Sequence, residues 1–279
     1  MFLEIIKFII YSALIVLISK YILVTTLRKL AESLKLKPKT VGNIAGYATS
    51  IPELLTITTS SLRGLSGASV YNIISSNVIN FIQYIGAILL NKNVDKIKNR
   101  AIITDIILVI FTILIPIVLL KMNIELNIMI VPIFVILYIL FRVINDNVHK
   151  MYLKNEDEKI EHEIEVEEEK ESKNRFQTIK YIIYLIITGI LLYFVGDKLG
   201  NTLETLCKLF NISEAIIGIL LGFITSIPEL MTFFESQKYY KKEADDMLGV
   251  VEATNNLLTS NILNLFAIQT IGILITSIL

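Results

Sequence analysis

The hexapeptide Thr49-Ser50-Ile51-Pro52-Glu53-Leu54 recurs letter for letter as Thr225-Ser226-Ile227-Pro228-Glu229-Leu230, 176 positions later. Each copy places one carboxylate and two hydroxyls beside a proline, inside a long apolar run. A charge at membrane depth costs from about 3 to over 10 kcal/mol depending on how it is measured, so an acid there marks a functional site. Proline in mid-helix removes a backbone donor and clashes one turn back, which frees carbonyl oxygens. Carboxylates, hydroxyls and carbonyls are the ligands that hard cations take. The two copies therefore read as two halves of one ion-binding site.

The elements that carry them are membrane helices. Of the 279 residues, 54% are hydrophobic and the mean hydropathy is +0.65, too apolar for a soluble domain. Runs of about 20 apolar residues are what a bilayer-crossing helix needs. Eight such runs lie near residues 4–24, 40–62, 66–90, 101–120, 124–144, 178–197, 213–235 and 248–278. They are long and uninterrupted rather than alternating, which speaks against a β-barrel. The first run lacks the basic start and small-residue cleavage site of a signal peptide and reads as the first helix. The expected fold class is an all-α integral membrane protein with about eight transmembrane helices. Residues 1–144 form a first membrane half, 145–176 an acidic cytoplasmic loop and 177–279 a second membrane half.

Charge sets the orientation. With both termini outside and eight alternating helices, all of the 26 Lys and Arg residues except Lys7, Arg63, Lys121, Lys198 and Lys208 fall on the cytoplasmic side. The signature helices are then the second and the seventh, an odd offset of five, so the second copy is inverted. At the offset of 176, Gly42 pairs with Gly218, Gly46 with Gly222 and Thr56 with Thr232. After the hexapeptide the offset becomes 184, and Asn72, Ser76, Asn77 and Asn80 pair with Asn256, Ser260, Asn261 and Asn264. Inverted repeats of this kind, here about 40–90 and 213–278, place a transporter's substrate at the membrane midplane between broken helices.

Asn72, Ser76, Asn80 and Gln83 recur at spacings of three and four, on one helix face. Such a stripe faces protein or a water-filled cavity rather than lipid; interhelical hydrogen bonding is the competing role. Asp105 lies about one turn inside the fourth helix, within reach of the interface, and Pro116 and Pro132 read as kinks. Glu156 to Glu171 form a solvated acidic run without the alternating ligands and glycine of an EF-hand. Both histidines, His149 and His162, fall in the 145–176 loop, leaving none in the membrane. Cys207 is the single cysteine, which excludes an intramolecular disulfide or thiolate cluster. With no H-E-x-x-H and no nucleophile–base pair, the chain does not read as an enzyme, and no cofactor or nucleic-acid partner is expected.

These residues resemble the sodium/calcium exchanger family within the cation/calcium antiporter superfamily. Its alpha-repeats carry a glycine-threonine-serine-x-proline-glutamate motif, here Ala48 to Glu53 and Ile224 to Glu229 without the leading glycine. Its next helix carries a glycine-asparagine-x-x-glycine-serine-asparagine motif, here Tyr71-Asn72 with Ser75-Ser76-Asn77, and Asn255-Asn256 with Thr259-Ser260-Asn261. The resemblance implies that Glu53 and Glu229 are central cation ligands. Thr49, Ser50, Thr225 and Ser226 supply oxygens beside them, as do the carbonyls of Gly46 and Gly222. Ser76, Asn80, Ser260 and Asn264 complete the shell. Na+ and Ca2+ are the implied transported ions, exchanged by alternating access.

Two departures matter. Related exchangers usually carry an aspartate at the position of Asn264, so this site offers two carboxylates rather than three, and a coupling nearer two sodium per calcium is expected. Glu252 lies 23 residues after Glu229, as Ser76 does after Glu53, but the stripe alignment puts it two turns from the site. The family has ten helices and this chain stops after the eighth, so a homodimer or second subunit is expected to cover the polar side of the last two. A cation/proton antiporter on the same fold and a non-transporting membrane scaffold or sensor are the alternatives. Sodium or proton gradients as drivers separate the first, and indifference to loss of Glu53 and Glu229 identifies the second.

Overall fold

A computed structural model describes residues 2–34, 36–122, 124, 126–152, 175–211, 213–242 and 245–279. Every regular element among them is helical. The first membrane helix is α1 (Phe2–Ile18), continued through a π-helical turn (Ser19–Val24) into amphipathic α2 (Thr25–Ser33). Next come α3 (Pro38–Thr49), α4 (Ile51–Leu62), α5 (Ser66–Leu90), α6 (Arg100–Lys121) and α7 (Val131–Tyr152). The second half holds α8 (Arg175–Phe210), α9 (Glu214–Thr225), α10 (Ile227–Lys242) and α11 (Asp246–Ile262). A second π-helical turn (Leu263–Ile268) joins α11 to α12 (Gln269–Ile278).

Seven helical stretches are long and apolar enough to cross a bilayer, with Phe2–Leu30 the first and Asp246–Ile278 the last. The eighth expected span is α3 with α4, two 12-residue helices broken at Ser50. Its lower apolarity comes from a hydroxyl-rich second half, with Thr56, Thr58, Thr59, Ser60 and Ser61. Its counterpart breaks at Ser226. Both breaks have one cause. Pro52 and Pro228 are the second residues of α4 and α10, in the first turn, where a missing N–H costs nothing.

The bundle is polar inside and apolar outside, as lipid requires. Ile103, Ile107 and Phe111 on α6 and Ile183, Ile186 and Ile190 on α8 are exposed, whereas Thr49, Ser50, Asn72, Asn77, Asn255 and Asn261 are buried. The most extensive helix pairs are α5 with α9 and α3 with α11, so each half lays its first signature helix on the polar helix of the other. A Cβ at Gly46 would lie 2.8 Å from Asn256 O, and one at Gly222 2.7 Å from Asn72 O. Only glycine permits this approach. Gly42/Gly46 and Gly218/Gly222 form two G-x-x-x-G pairs, the small-residue pattern of close membrane-helix packing.

Three expectations change here. Pro132 is the second residue of α7 and starts that helix instead of kinking it. That helix continues to Tyr152, so residues 145–152 are helical rather than loop, and His149, only 3% exposed, lies inside the bundle. The acidic run Glu156 to Glu171, with His162, falls outside the described residues. Finally, the polar side of α11 is covered from within: every residue from Gly249 to Ile262 is buried against the chain's own helices.

Candidate cation site

The two breaks set Glu53 and Glu229 in the first turns of α4 and α10, where the N-terminal end of a helix dipole favours a negative charge. Both are 0% exposed and lie within electrostatic reach of each other. The residues preceding them close the gap between the halves. Ser50 donates from Oγ to Gly46 O at 2.9 Å and shares a 2.9 Å bond with Ser260 Oγ. Ser260 in turn donates to Glu229 Oε1 at 3.0 Å. On the symmetric side, Ser76 Oγ meets Thr225 Oγ1 and donates to Gly222 O, each at 3.4 Å, while Ser226 Oγ donates to Ser76 O at 3.5 Å. Thr49 Oγ1 donates to Ala45 O at 3.0 Å and lies 3.5 Å from Asn256 Oδ1.

Asn80 Nδ2 donates to Asn261 Oδ1 at 3.2 Å, and Asn264 Nδ2 donates to Asn77 Oδ1 at the same distance. Those bonds turn each amide so that its carbonyl oxygen is left over. Five buried oxygens in this web have no hydrogen-bond partner among the described residues: both carboxylate oxygens of Glu53, Glu229 Oε2, Asn80 Oδ1 and Asn264 Oδ1. A buried acceptor without a donor costs about 1–3 kcal/mol, more when charged. The five come from four helical segments, and carboxylate and amide oxygens are the donor types that hard cations take. No group of three or more His, Cys, Asp and Glu that could hold a metal ion occurs among the described residues.

Hydrogen bonds within and between the halves join Thr49, Ser50, Thr225, Ser226, Ser76, Asn80, Ser260, Asn264 and Glu229, and Glu53 is buried with both carboxylate oxygens unpartnered. Gly46 and Gly222 turn their carbonyls toward Ser50 and Ser226, whose backbone N–H groups donate to them at 3.3 and 3.2 Å. Glu252 stands apart. It is buried in a bidentate pair with Arg28, at 2.7 and 2.5 Å, which ties α2 to α11. Asp105 does not reach an interface. Its oxygens accept from Asn145 Nδ2 at 2.8 Å and bond His149 Nε2 at 2.6 Å, all three buried.

Sequence reasoning missed several supporting residues. Asn77 Nδ2 donates to Asn261 O at 3.2 Å and Asn261 Nδ2 to Asn77 O at 3.1 Å, a reciprocal pair between the halves. Their exact match at the offset of 184 was the available signal. Asn72 donates to Thr56 Oγ1 at 2.8 Å and Asn256 to Thr232 Oγ1, joining each polar helix to its own signature helix. Arg142 on α7 donates to Thr259 Oγ1 at 3.0 Å, Asn43 Oδ1 at 3.3 Å and Tyr47 OH at 2.5 Å, clamping the seam of α3 and α11. It lies outside the repeats, so no internal comparison marked it.

The profile described as sodium/calcium exchanger protein matches residues 5–145 and 180–279. No curated protein gives a significant match. Among solved structures, the chain is similar to the sodium-calcium exchanger NCX_Mj soaked with 100 mM Na+ and 10 mM Sr2+, with 18% identity over 99% of this chain and 83% of that one, at a TM-score of 0.58. The same exchanger soaked with 2.5 mM Na+ and 0.1 mM Ca2+ gives 20% identity over 98% and 82%, at 0.56. Soaked with neither Na+ nor Ca2+, it gives 19% over 99% and 83%, at 0.52. At these identities the structural likeness speaks for a shared fold, while the profile covers most of the chain; the protein belongs to the sodium/calcium exchanger family.

Proposed function

We propose that this protein is a secondary antiporter that exchanges Ca2+ for Na+ around a single site containing Glu53 and Glu229. The observation that carries this reading is the set of five unpartnered buried oxygens, from the repeat-related residue pairs Glu53/Glu229 and Asn80/Asn264. Thr49, Ser50, Thr225, Ser226, Ser76 and Ser260 hold the carboxylates and amides in place and sit close enough to add hydroxyl oxygens to the shell. Two carboxylates balance one Ca2+ or two Na+, and Asn264 brings an oxygen without a third charge. The coupling that follows is nearer two sodium per calcium. The protein is placed with both termini outside and residues 153–174 in the cytoplasm, following the Lys and Arg distribution.

Reconstitution tests this directly. An outward Na+ gradient drives Ca2+ into proteoliposomes, and Glu53→Gln and Glu229→Gln each abolish the uptake. Uptake driven equally by a proton gradient without Na+ replaces this reading with cation/proton antiport. Intact function in both glutamine variants replaces it with a non-transporting role. Reversal potentials fix the coupling, and a clear three-to-one ratio removes the two-charge argument.

A further inference from the structure

A cleft of about 530 Å³ opens at the end of the bundle that carries the α4–α5 turn. Its rim includes Ser66, Ile124 and Thr276, all exposed, and its floor is made by Ser61, Ser69 and Gln269, at 1%, 2% and 3% exposure. Ser61 Oγ, Ser69 Oγ and Gln269 Oε1 are buried and have no hydrogen-bond partner among the described residues. They come from three different helices and line the same cleft. A Cβ on Gly272 would sit 3.1 Å from Ser61 Oγ and 3.2 Å from Ser69 Oγ, and Gln269 lies one turn before Gly272 on α12. On α4 the order is Glu53, Ile57, Ser61, one turn apart each. Ile57, 0% exposed, is therefore the single residue layer on that helix between the cleft floor and the carboxylate.

The inverted repeat supplies an internal control. At the offset of 176, Ile57 corresponds to Phe233 and Ser61 to Gln237; at 184, Ser69 corresponds to Ala253 and Gly272 to Ile88. The equivalent place at the opposite end is packed shut. Phe233 meets Tyr84 edge to face at 5.8 Å, and Tyr84 OH bonds Thr254 Oγ1 at 2.7 Å. Gln237 is 0% exposed, accepts from Asn93 Nδ2 at 3.0 Å and donates to Phe233 O at 3.0 Å. Ala253 and Ile88 are also 0% exposed. Where one end has three unpartnered oxygens around a glycine, the other has an isoleucine, an alanine and a glutamine whose bonds are made.

We propose that Ser61, Ser69 and Gln269 form a second, neutral cation site at the floor of this cleft, a staging point for a partly hydrated Na+ or Ca2+, with Ile57 the gate between it and Glu53/Glu229. This rests on the transport reading above. Uncharged oxygens suit the task, because a site on a conduction route must bind well enough to admit the ion and weakly enough to release it. The two carboxylates beyond Ile57 then take the ion from it. Phe233, Tyr84 and Gln237 close the other end, and Ile57, 0% exposed, closes the cleft end with a single layer.

The test uses the full chain in proteoliposomes and in detergent. Ser61→Ala with Ser69→Ala raises the KM for Ca2+ uptake at least about fivefold, the effect of removing weak neutral ligands, while equilibrium Ca2+ binding in detergent is unchanged. Ile57→Ala speeds Ca2+ binding and release in stopped flow by at least about fivefold at unchanged equilibrium affinity. Gln269→Glu lowers KM, and 0.5 M choline chloride erases that gain, as screening of an added charge requires. An unchanged KM in the double variant, with wild-type uptake and binding intact, overturns the staging site. Unchanged rates in Ile57→Ala overturn the gate. Wild-type protein that neither binds nor transports Ca2+ overturns the underlying transport reading instead.

Discussion

Helices α5 and α11 are copies of one another in sequence, and the protein treats them differently. From Gly249 to Ile262 all 14 positions of α11 are buried, whereas at the matching positions of α5 only Ala68, Ser69, Asn72, Ile73, Ser75, Ser76 and Asn77 are. The cause is outside the repeat. Helix α6 packs along α11, and Asn145 on α7 donates to both Asp105 and Asn255, at 2.8 and 3.3 Å. Arg142 adds a bond to Thr259. The matching residues of α5 are Tyr71, half-buried, and Ser75, which donates to the carbonyls of Asn72 and Gly218. The ligands are symmetric while their supports are not. One ligand helix is held in a clasp of charged and amide side chains. Both rest on a glycine pair of the opposite half, Gly218/Gly222 under α5 and Gly42/Gly46 under α11, and the clasp is what α5 lacks.

This contrast can be broken at several strengths. Removing either glutamate should hurt equally despite the unequal supports: Glu53→Gln and Glu229→Gln each weaken Ca2+ binding by about 100-fold or more, on losing a charged ligand. Calorimetric titration reads this, and a tenfold gap between the two means that the halves are unequal at the ion itself. Asp105→Ala strands His149 and Asn145 without their acceptor and costs about 3 kcal/mol of stability, seen as a lowered detergent melting temperature. Asn77→Ala and Asn261→Ala each cost about 1–3 kcal/mol, and their equality within about 0.5 kcal/mol tests the reciprocal pair. Arg142→Lys loses the fork geometry but keeps the charge, for about 1 kcal/mol. Tyr71→Phe, at the α5 counterpart of Asn255, is the smallest, within about 0.5 kcal/mol. A Tyr71 effect as large as that of Asp105 would erase the difference between the two helices.

The candidate site residues stood out in the sequence because chemistry left doubled marks. Glu53 and Glu229 stood out by their cost in apolar sequence, and the two offsets tied Asn80 to Asn264 and Ser76 to Ser260. Eight apolar stretches emerged from hydropathy alone, and the proline position foretold both helix breaks. What stayed hidden depends on tertiary partners. Residues 145–152 read as loop because Asn145, Asp146, Asn147, His149 and Lys150 are polar. They remain helical because Asp105, on another helix, accepts from the buried ones. Glu252 looked like a possible third acid until Arg28 was found beside it. Neither pairing has a spacing rule. The closed end built from Phe233, Tyr84, Gln237 and Asn93 likewise joins residues whose repeat counterparts are of other types.

The reciprocal amides of Asn77 and Asn261 carry a geometric consequence. Each gives the other the same bond, so exchanging the conformations of the two halves maps this pair onto itself. If the opposite access state is this structure with its halves interchanged, every other contact between them must be remade or traded for its counterpart. Together with the matched bonds from Asn80 to Asn261 and from Asn264 to Asn77, these two hydrogen bonds are their own mirror, a fixed cluster about which the rest of the protein rearranges.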